Sequence, residues 1–209
     1  MGTSAAKENI LKRIRQALSN PVPLPFPQSE GSASVYQPAK DELEILFAEA
    51  FNQLQGKFAF CVDESDLLLQ VQQLITQKEW TKIYCCEDRW NDSFSNTIHL
   101  PGCDASVTGC EYLVARTGTI VMSAAQQSGR TVSVYAPIHI CIAYTNQLVY
   151  DIKDALQLLK DKYAGNIPSL ITFASGPSRT ADIEKTLVTG VHGPKEVYLF
   201  LVDSASAIG

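Results

Sequence analysis

The sequence predicts an α/β domain, a three-layer α/β/α sandwich built around a mostly parallel sheet. Three observations carry that expectation. The runs KFAFC, IHICIAY and EVYLFLV are apolar throughout, as strands covered on both faces must be. Segments of helical period separate such runs, which is the pattern of β-α-β crossovers. Of 209 residues, 45% are hydrophobic, enough for a sizeable core without disulfide or metal staples.

In chain order, residues 1–20 place Ile10, Leu11, Ile14 and Leu18 on one helical face, with Lys7, Lys12, Arg13 and Arg15 against a single Glu8. This reads as a docking surface helix or as a mitochondrial-type presequence. Pro21, Pro23, Pro25 and Pro27 then impose an extended strap, and the Ser/Gly stretch after them a flexible linker. The predicted organisation is a helix and strap over 1–27, a linker over 28–39, and an α/β domain over 40–209.

Asp41 and Glu44 open a helix whose stripe is Leu43, Leu46, Phe47, Ala50, Phe51 and Leu54, ended by Gly56. Residues 57–62 follow as a strand, then a helix over 64–76 with Leu67, Leu68, Val71, Leu74 and Ile75 inward. Strands over 82–86 and 105–108 flank a polar stretch, EDRWNDSFSNT. TGTIVMSA and TVSVY flank AQQSGR, which has the composition of a hairpin turn. A strand over 138–144, a helix over 151–163, a strand over 169–174, a helix over about 181–188 and a strand over 196–202 complete the pattern.

Lys plus Arg is 17 and Asp plus Glu is 22, a net charge of −5, which argues against a nucleic-acid or anionic-membrane binder. The longest apolar run, Val197 to Val202, is far too short to span a membrane, and no apolar signal-peptide core follows the N-terminus. A cytoplasmic location follows as the expectation. The six cysteines (61, 85, 86, 103, 110 and 141) lack Cys-x-x-Cys spacing, so they read as buried reduced thiols. No metal site and no cofactor held by this chain is expected.

Candidate chemistry sits in three loops. In Thr117, Gly118 and Thr119, a glycine lets backbone N–H groups approach a ligand and two hydroxyls add donors; a tight turn into a β-branched strand explains the same residues. In SGPSRTADIE, Ser178 or Thr180 caps the predicted helix and makes an anion site of its N-terminus, or simply a structural cap. Asp182 and Glu184 there are candidate proton acceptors or cation ligands. In GVHGP, His192 stands between glycines in an exposed loop, whereas His139, alternating with Ile138 and Ile140, reads as a hydrogen-bonded core residue. Loops beyond strand ends are where α/β sheets bind ligands. The expected pocket is therefore lined by Thr117, Gly118, Thr119, Ser175, Gly176, Ser178 and Thr180, with the Thr-Gly-Thr loop a better partner for SGPSRT than GVHGP. No Walker loop, nucleophile elbow, His-Glu-x-x-His or Rossmann fingerprint accompanies these loops.

Taken together, ARTGTIV, SGR, the Pro-Ile-His-Ile strand and SGPSRTADIEKTLVTGVHGP resemble the LUD (lactate utilisation) domain family over residues 40–203. The opening KENILKRIRQAL is similar to that family's first helix. The resemblance implies a fold akin to the glucosamine-phosphate isomerase, ribose-phosphate isomerase and CoA-transferase superfamily. It also implies a role in oxidising L-lactate to pyruvate with partner proteins that carry the iron–sulfur clusters. Arg116 departs from it, standing where an acidic residue is common.

Three functional readings follow. One is a component of a lactate-oxidising system that binds a small carboxylate or other anion, or organises its redox partners. The other is a stand-alone isomerase or CoA-transferase-like enzyme that binds a phosphate or CoA ester, with Glu111 or Glu184 as base or nucleophile. A pure scaffold, with the loops as structural turns, is the third. The candidate catalytic residues are thus Glu111, Asp182, Glu184 and His192.

Overall fold

The apolar runs form a five-stranded parallel sheet beside a second, four-stranded sheet. In chain order the elements are α1 (Leu43–Gln53), β1 (Lys57–Cys61), α2 (Glu64–Gln77), β2 (Ile83–Cys85), α3 (Asp88–Phe94), β3 (Ala105–Thr108), β4 (Tyr112–Val114) and β5 (Thr119–Ser123). They continue with α4 (Val132–Tyr135), β6 (Ile138–Tyr144), β7 (Leu148–Val149), α5 (Ile152–Lys162), β8 (Ile171–Ala174), β9 (Arg179–Thr180), β10 (Val188–Thr189) and β11 (Glu196–Val202). The computed structural model describes residues 41–180, 188–190 and 192–204, together with residues 9, 12, 13, 15, 16 and 39. The chain divides into two units, Met1–Pro38 and Ala39–Gly209. In the first, Asn9, Lys12, Arg13, Arg15 and Gln16 are helical and exposed, and the proline strap lies outside the described residues.

In the larger unit the parallel sheet runs β1-β11-β6-β3-β2 and the second sheet β7-β4-β5-β8. Strand alternation sends Ile138, Ile140 and Ile142 to one face of the parallel sheet, where they join Leu67 and Val71 of α2 and Trp90 and Phe94 of α3. Cys141, Ala143, Leu199 and Leu201 face the other way and pack with Phe47 and Phe51 of α1 and with Leu113 and Ile120 of the second sheet. Beyond that sheet, Ala155 and Leu159 of α5 close the stack on Val114 and Val121. Helices thus enclose the sheets on both sides. Each fully buried Leu, Ile or Phe here contributes about 1.5–3 kcal/mol.

Two caps define helix starts. Asp63 accepts from the N–H of Asp66 at 2.8 Å to open α2. Asp151 and Asp154 form a reciprocal capping box at α5.

Four local expectations are corrected. The hairpin of 117–135 is absent; β5 pairs instead with β4 and β8, and both its edges are therefore occupied. TVSVY consequently turns into the short helix α4, with Thr131 O accepting from Val134 and Tyr135. The stretch read as polar contains α3, whose Trp90 and Phe94, four residues apart, are both buried. Leu68, placed inward from periodicity, is 40% exposed. Of the helix expected over about 181–188, residues 181–187 lie outside the described residues; at its edges Thr180 pairs antiparallel with Val188, and Arg179 with Thr189.

Gly118 has φ +55°, and a Cβ there would stand 2.5 Å from the backbone nitrogen of Phe51 in α1. Gly129 has φ +61° with open space around it. Gly118→Ala is therefore expected to lower unfolding free energy by at least about 2 kcal/mol, from left-handed strain plus the clash. Gly129→Ala carries the strain alone and loses about 1 kcal/mol. Urea titration of both variants checks the ordering.

Candidate functional site

The loop that leaves β8, Ser175 to Ser178, is tied on three sides. Ser175 Oγ lies 2.7 Å from Thr119 Oγ1. Gly176, at φ +85°, lets the backbone settle on the last turn of α1, where a Cβ would meet Leu54 O at 2.5 Å. The N–H of Ser178 donates to Pro194 O at 2.9 Å, and the N–H of Gly190 donates to Ser178 O at 3.0 Å. The SGPS loop and the His192–Gly193–Pro194 loop are thereby joined directly. Gly193 is part of the fit, since a Cβ there would stand 3.0 Å from that of Ser178.

Between these loops and the starts of β6 and β11 is a cavity of about 240 Å³, lined in part by Ser175, Ser178, His192, Ser133, Thr172 and His139. His192 is exposed on its rim. His139 is only 1% exposed, and its Nε2 lies 2.8 Å from Thr108 Oγ1. Burial pushes its pKa down to about 4, so the imidazole is neutral at pH 7. The cavity offers hydroxyls, a neutral imidazole and one solvent-facing imidazole: donors for a small anion, without a fixed counter-charge.

The cavity pairs SGPS with VHGP, the reverse of the expected pairing with Thr-Gly-Thr. Thr117, Gly118 and Thr119 do not line it. Gly118 is buried under α1, and Thr119 is 2% exposed, linked to both Thr117 and Ser175 through its hydroxyl. These three residues form the structural turn between β4 and β5, and they support the site through the Thr119–Ser175 contact alone. The location also differs from expectation. The cavity lies at the amino end of the parallel sheet, because β8 belongs to the second sheet and its carboxyl end meets the starts of β6 and β11. Ser178 opens no helix, since Arg179 and Thr180 are extended. Thr180 pairs with Val188, and Asp182 and Glu184 lie outside the described residues.

Glu111 is not available as a base or nucleophile. Its side chain is buried, Oε1 accepts from Ser123 at 2.5 Å and Tyr163 at 2.6 Å, and Oε2 accepts from Lys162 at 2.6 Å. Burial raises its pKa, but the hydrogen bonds from Lys162, Ser123 and Tyr163 outweigh that and hold it below the usual carboxylate range. Arg116 likewise has a structural partner: its Nε donates to the buried Asp151 at 2.7 Å, at the start of α5. Five of the six cysteines are buried and all are free; burial pushes Cys61 up to about 12 and Cys85 up to about 11, so these thiols are poor nucleophiles. Among the described residues no group of three His, Cys, Asp or Glu is placed to hold a metal ion, and no helix is long and apolar enough to cross a membrane.

Sequence reasoning missed a second, larger cleft of about 760 Å³ at the opposite end of the parallel sheet. Glu87, Gly109 and Ser204 line it just beyond β2, β3 and β11, and Tyr144 ends β6 beside it. The four-residue spacing of Trp90 and Phe94, within the stretch read as polar, was the available signal.

A family model described as LUD domain matches residues 96–202. Lactate utilization protein C of Bacillus licheniformis is 35% identical over 136 residues, covering 62% of this chain and 56% of that protein. Its Deinococcus radiodurans namesake is 34% identical over 104 residues, covering 49% and 48%. An uncharacterized protein of Neisseria meningitidis serogroup B is 32% identical over 116 residues, covering 55% and 47%. The chain thus spans about half the length of the curated relatives it matches. The crystal structure of a DUF162 family protein from Deinococcus radiodurans superposes with a TM-score of 0.58 at 17% identity, over 79% of this chain and 99% of that one, which shows the fold.

Among the buried ionisable groups, His139 and Glu111 have shifted titrations that bear on acid sensitivity. His139 binds a proton more readily unfolded than folded, so stability falls as pH drops from the unfolded value of 6.5 toward about 4. The loss approaches about 3 kcal/mol in the native chain and is absent in His139→Gln, as denaturant titrations across that range check. Glu111 acts lower: its stabilisation is present above the ordinary carboxylate range and disappears as pH falls through its depressed value. Glu111→Ala should cost about 2–4 kcal/mol at pH 7, because Ser123 and Tyr163 lose their acceptor.

Proposed function

The chain belongs to the LUD domain family, and on that premise we propose that it is a cytoplasmic component of an L-lactate utilisation system that binds a small carboxylate between its SGPS and VHGP loops. One observation carries this reading. The two loops on which the family resemblance rests, separated along the chain, close on a single cavity of about 240 Å³. That volume lies below the roughly 300–1,000 Å³ of sites for drug-sized ligands, and suits a three-carbon acid better than a sugar phosphate or an acyl-CoA.

Ser178 and Ser133 supply hydroxyl donors to a carboxylate, and His192 faces it from the solvent side. Neutral His139 adds polarity without a buried charge, which keeps binding of an anion reversible. Oxidation of L-lactate to pyruvate removes two electrons and two protons. Serine and histidine side chains do not accept electrons, so the reading requires a separate acceptor. The family resemblance assigns that part to iron–sulfur partner proteins. The reading as an independent isomerase or CoA-transferase needs a free carboxylate near the ligand; of its two candidates, Glu111 has both oxygens engaged and Glu184 lies outside the described residues.

Calorimetric titration with L-lactate and with pyruvate tests the site. Saturable binding that weakens at least tenfold in His192→Ala is expected, together with retention of iron–sulfur proteins by the tagged chain in lactate-grown cells. Absence of binding at millimolar concentration, or an unchanged affinity in the variant, contradicts the carboxylate site. Turnover of a sugar phosphate or acyl-CoA by the isolated chain replaces it with the enzyme reading.

A further inference from the structure

The cleft at the carboxyl ends of the parallel strands is three times the volume of the lactate-sized cavity and has a different chemistry, about 760 Å³ against about 240 Å³. Arg89 is the only cationic side chain among the described residues that line it. Its guanidinium lies 4.6 Å from the centre of the Tyr144 ring and 5.1 Å from that of Trp90. Those two rings stack at 6.4 Å and 18°, and Glu64 holds both Arg89 and the Tyr144 hydroxyl. The cation is thus fixed on an aromatic wall, and pairing with Glu64 through one terminal nitrogen leaves the rest of the fork for an anion.

Opposite charge is present too. Glu87 accepts the N–H of Gly109 through Oε1 at 2.9 Å, and its other oxygen is an acceptor suited to hydroxyl groups. Asn146 and Gln126 add side-chain amides; Gln126 uses its oxygen on the N–H of Ser123, which leaves its NH₂ donors. A ligand matching this set carries a negative group for the guanidinium, hydroxyls for the carboxylate, a flat ring for the wall, and a polar edge for the amides. A lone cation beside a carboxylate does not suit a nucleic-acid backbone, which needs several. A three-carbon acid leaves most of the cleft empty. The position beyond the strand ends is where open α/β sheets bind ligands.

We infer that this cleft is a second ligand site and that its occupant is a mononucleotide. The phosphate meets Arg89, the ribose hydroxyls meet Glu87, and the base lies beside the half-buried Tyr144 with its polar edge toward the amides of Asn146 and Gln126. This site stands apart from the carboxylate cavity, at the other end of the same strands.

The chain has only two tryptophans, and Trp90 borders the cleft while Trp80 does not, so intrinsic fluorescence reads occupancy directly. AMP is expected to change the emission saturably, with adenosine and inorganic phosphate each at least tenfold weaker. Arg89→Gln should weaken AMP at least tenfold. Asn146→Ala, an exposed position at which folding is not at stake, should weaken it severalfold. Saturating L-lactate should leave the AMP titration unchanged. No saturable response to AMP at millimolar concentration overturns the inference, as does equal binding of adenosine, equal binding of phosphate, or wild-type affinity in both variants. Competition by L-lactate overturns the assignment of two separate sites.

Discussion

The close approach of the last turn of α1 to two glycine turns holds the architecture together. Gly118, between β4 and β5, accepts the backbone at Ala50 and Phe51, and Gly176, after β8, accepts Leu54 O. No side chain fits at either place. Arg179 donates to that same Leu54 carbonyl, satisfying an acceptor that the helix end leaves open. With α1 seated this deeply, Phe47 and Phe51 join the two sheets into one core, and the Thr119–Ser175 contact brings the start of β5 against the loop after β8. The SGPS loop then has one place to go, over the starts of β6 and β11, where Pro194 receives its N–H.

What was legible in the sequence follows the physics of burial. IHICIAY and EVYLFLV coincide with β6 and β11 residue for residue, because a central parallel strand needs apolar side chains on both faces. The helices over 64–76 and 151–163 were readable from their apolar period, and Asp63 and Asp151 cap them; the start read at Asp41 and Glu44 lies instead at Glu42, which makes no side-chain cap. TVSVY has the composition of a strand but folds as a helix, because β-branched residues favour a strand only where a partner edge exists, and the edges of β5 are filled by β4 and β8. The second sheet was hidden for a related reason: β4 and β7 are three and two residues long, too short to show periodicity. At the site, Ser175, Ser178 and His192 were readable as loop residues. Their convergence was not, because it depends on Arg179 and Thr180 pairing with Thr189 and Val188, a contact between residues eight to ten apart that no local pattern announces.

The same parallel sheet thus has two unlike ends. At its carboxyl end lie Arg89, Glu87 and an aromatic wall in an open cleft. At its amino end lies a small cavity of hydroxyls and imidazoles, with no carboxylate among its described lining residues. Between them, the buried charge of Glu111 is neutralised by Lys162 and bound by two hydroxyls, so it stiffens the joint between β5 and α5. The buried histidine takes the opposite course and stays neutral, bonded to Thr108. These two solutions to burying an ionisable group keep fixed charge away from the amino-end cavity. An anion entering it meets oriented dipoles and the exposed His192.

The proposed carboxylate site is at the amino end, beside His192. With only three histidines in the chain, imidazole NMR signals report on it directly during an L-lactate titration. Binding in the amino-end cavity predicts that the His192 signals shift saturably, that those of His139 follow, and that those of exposed His99 stay in place. Saturable binding that leaves both His139 and His192 unmoved, or that moves the Trp90 indole signal instead, would contradict it.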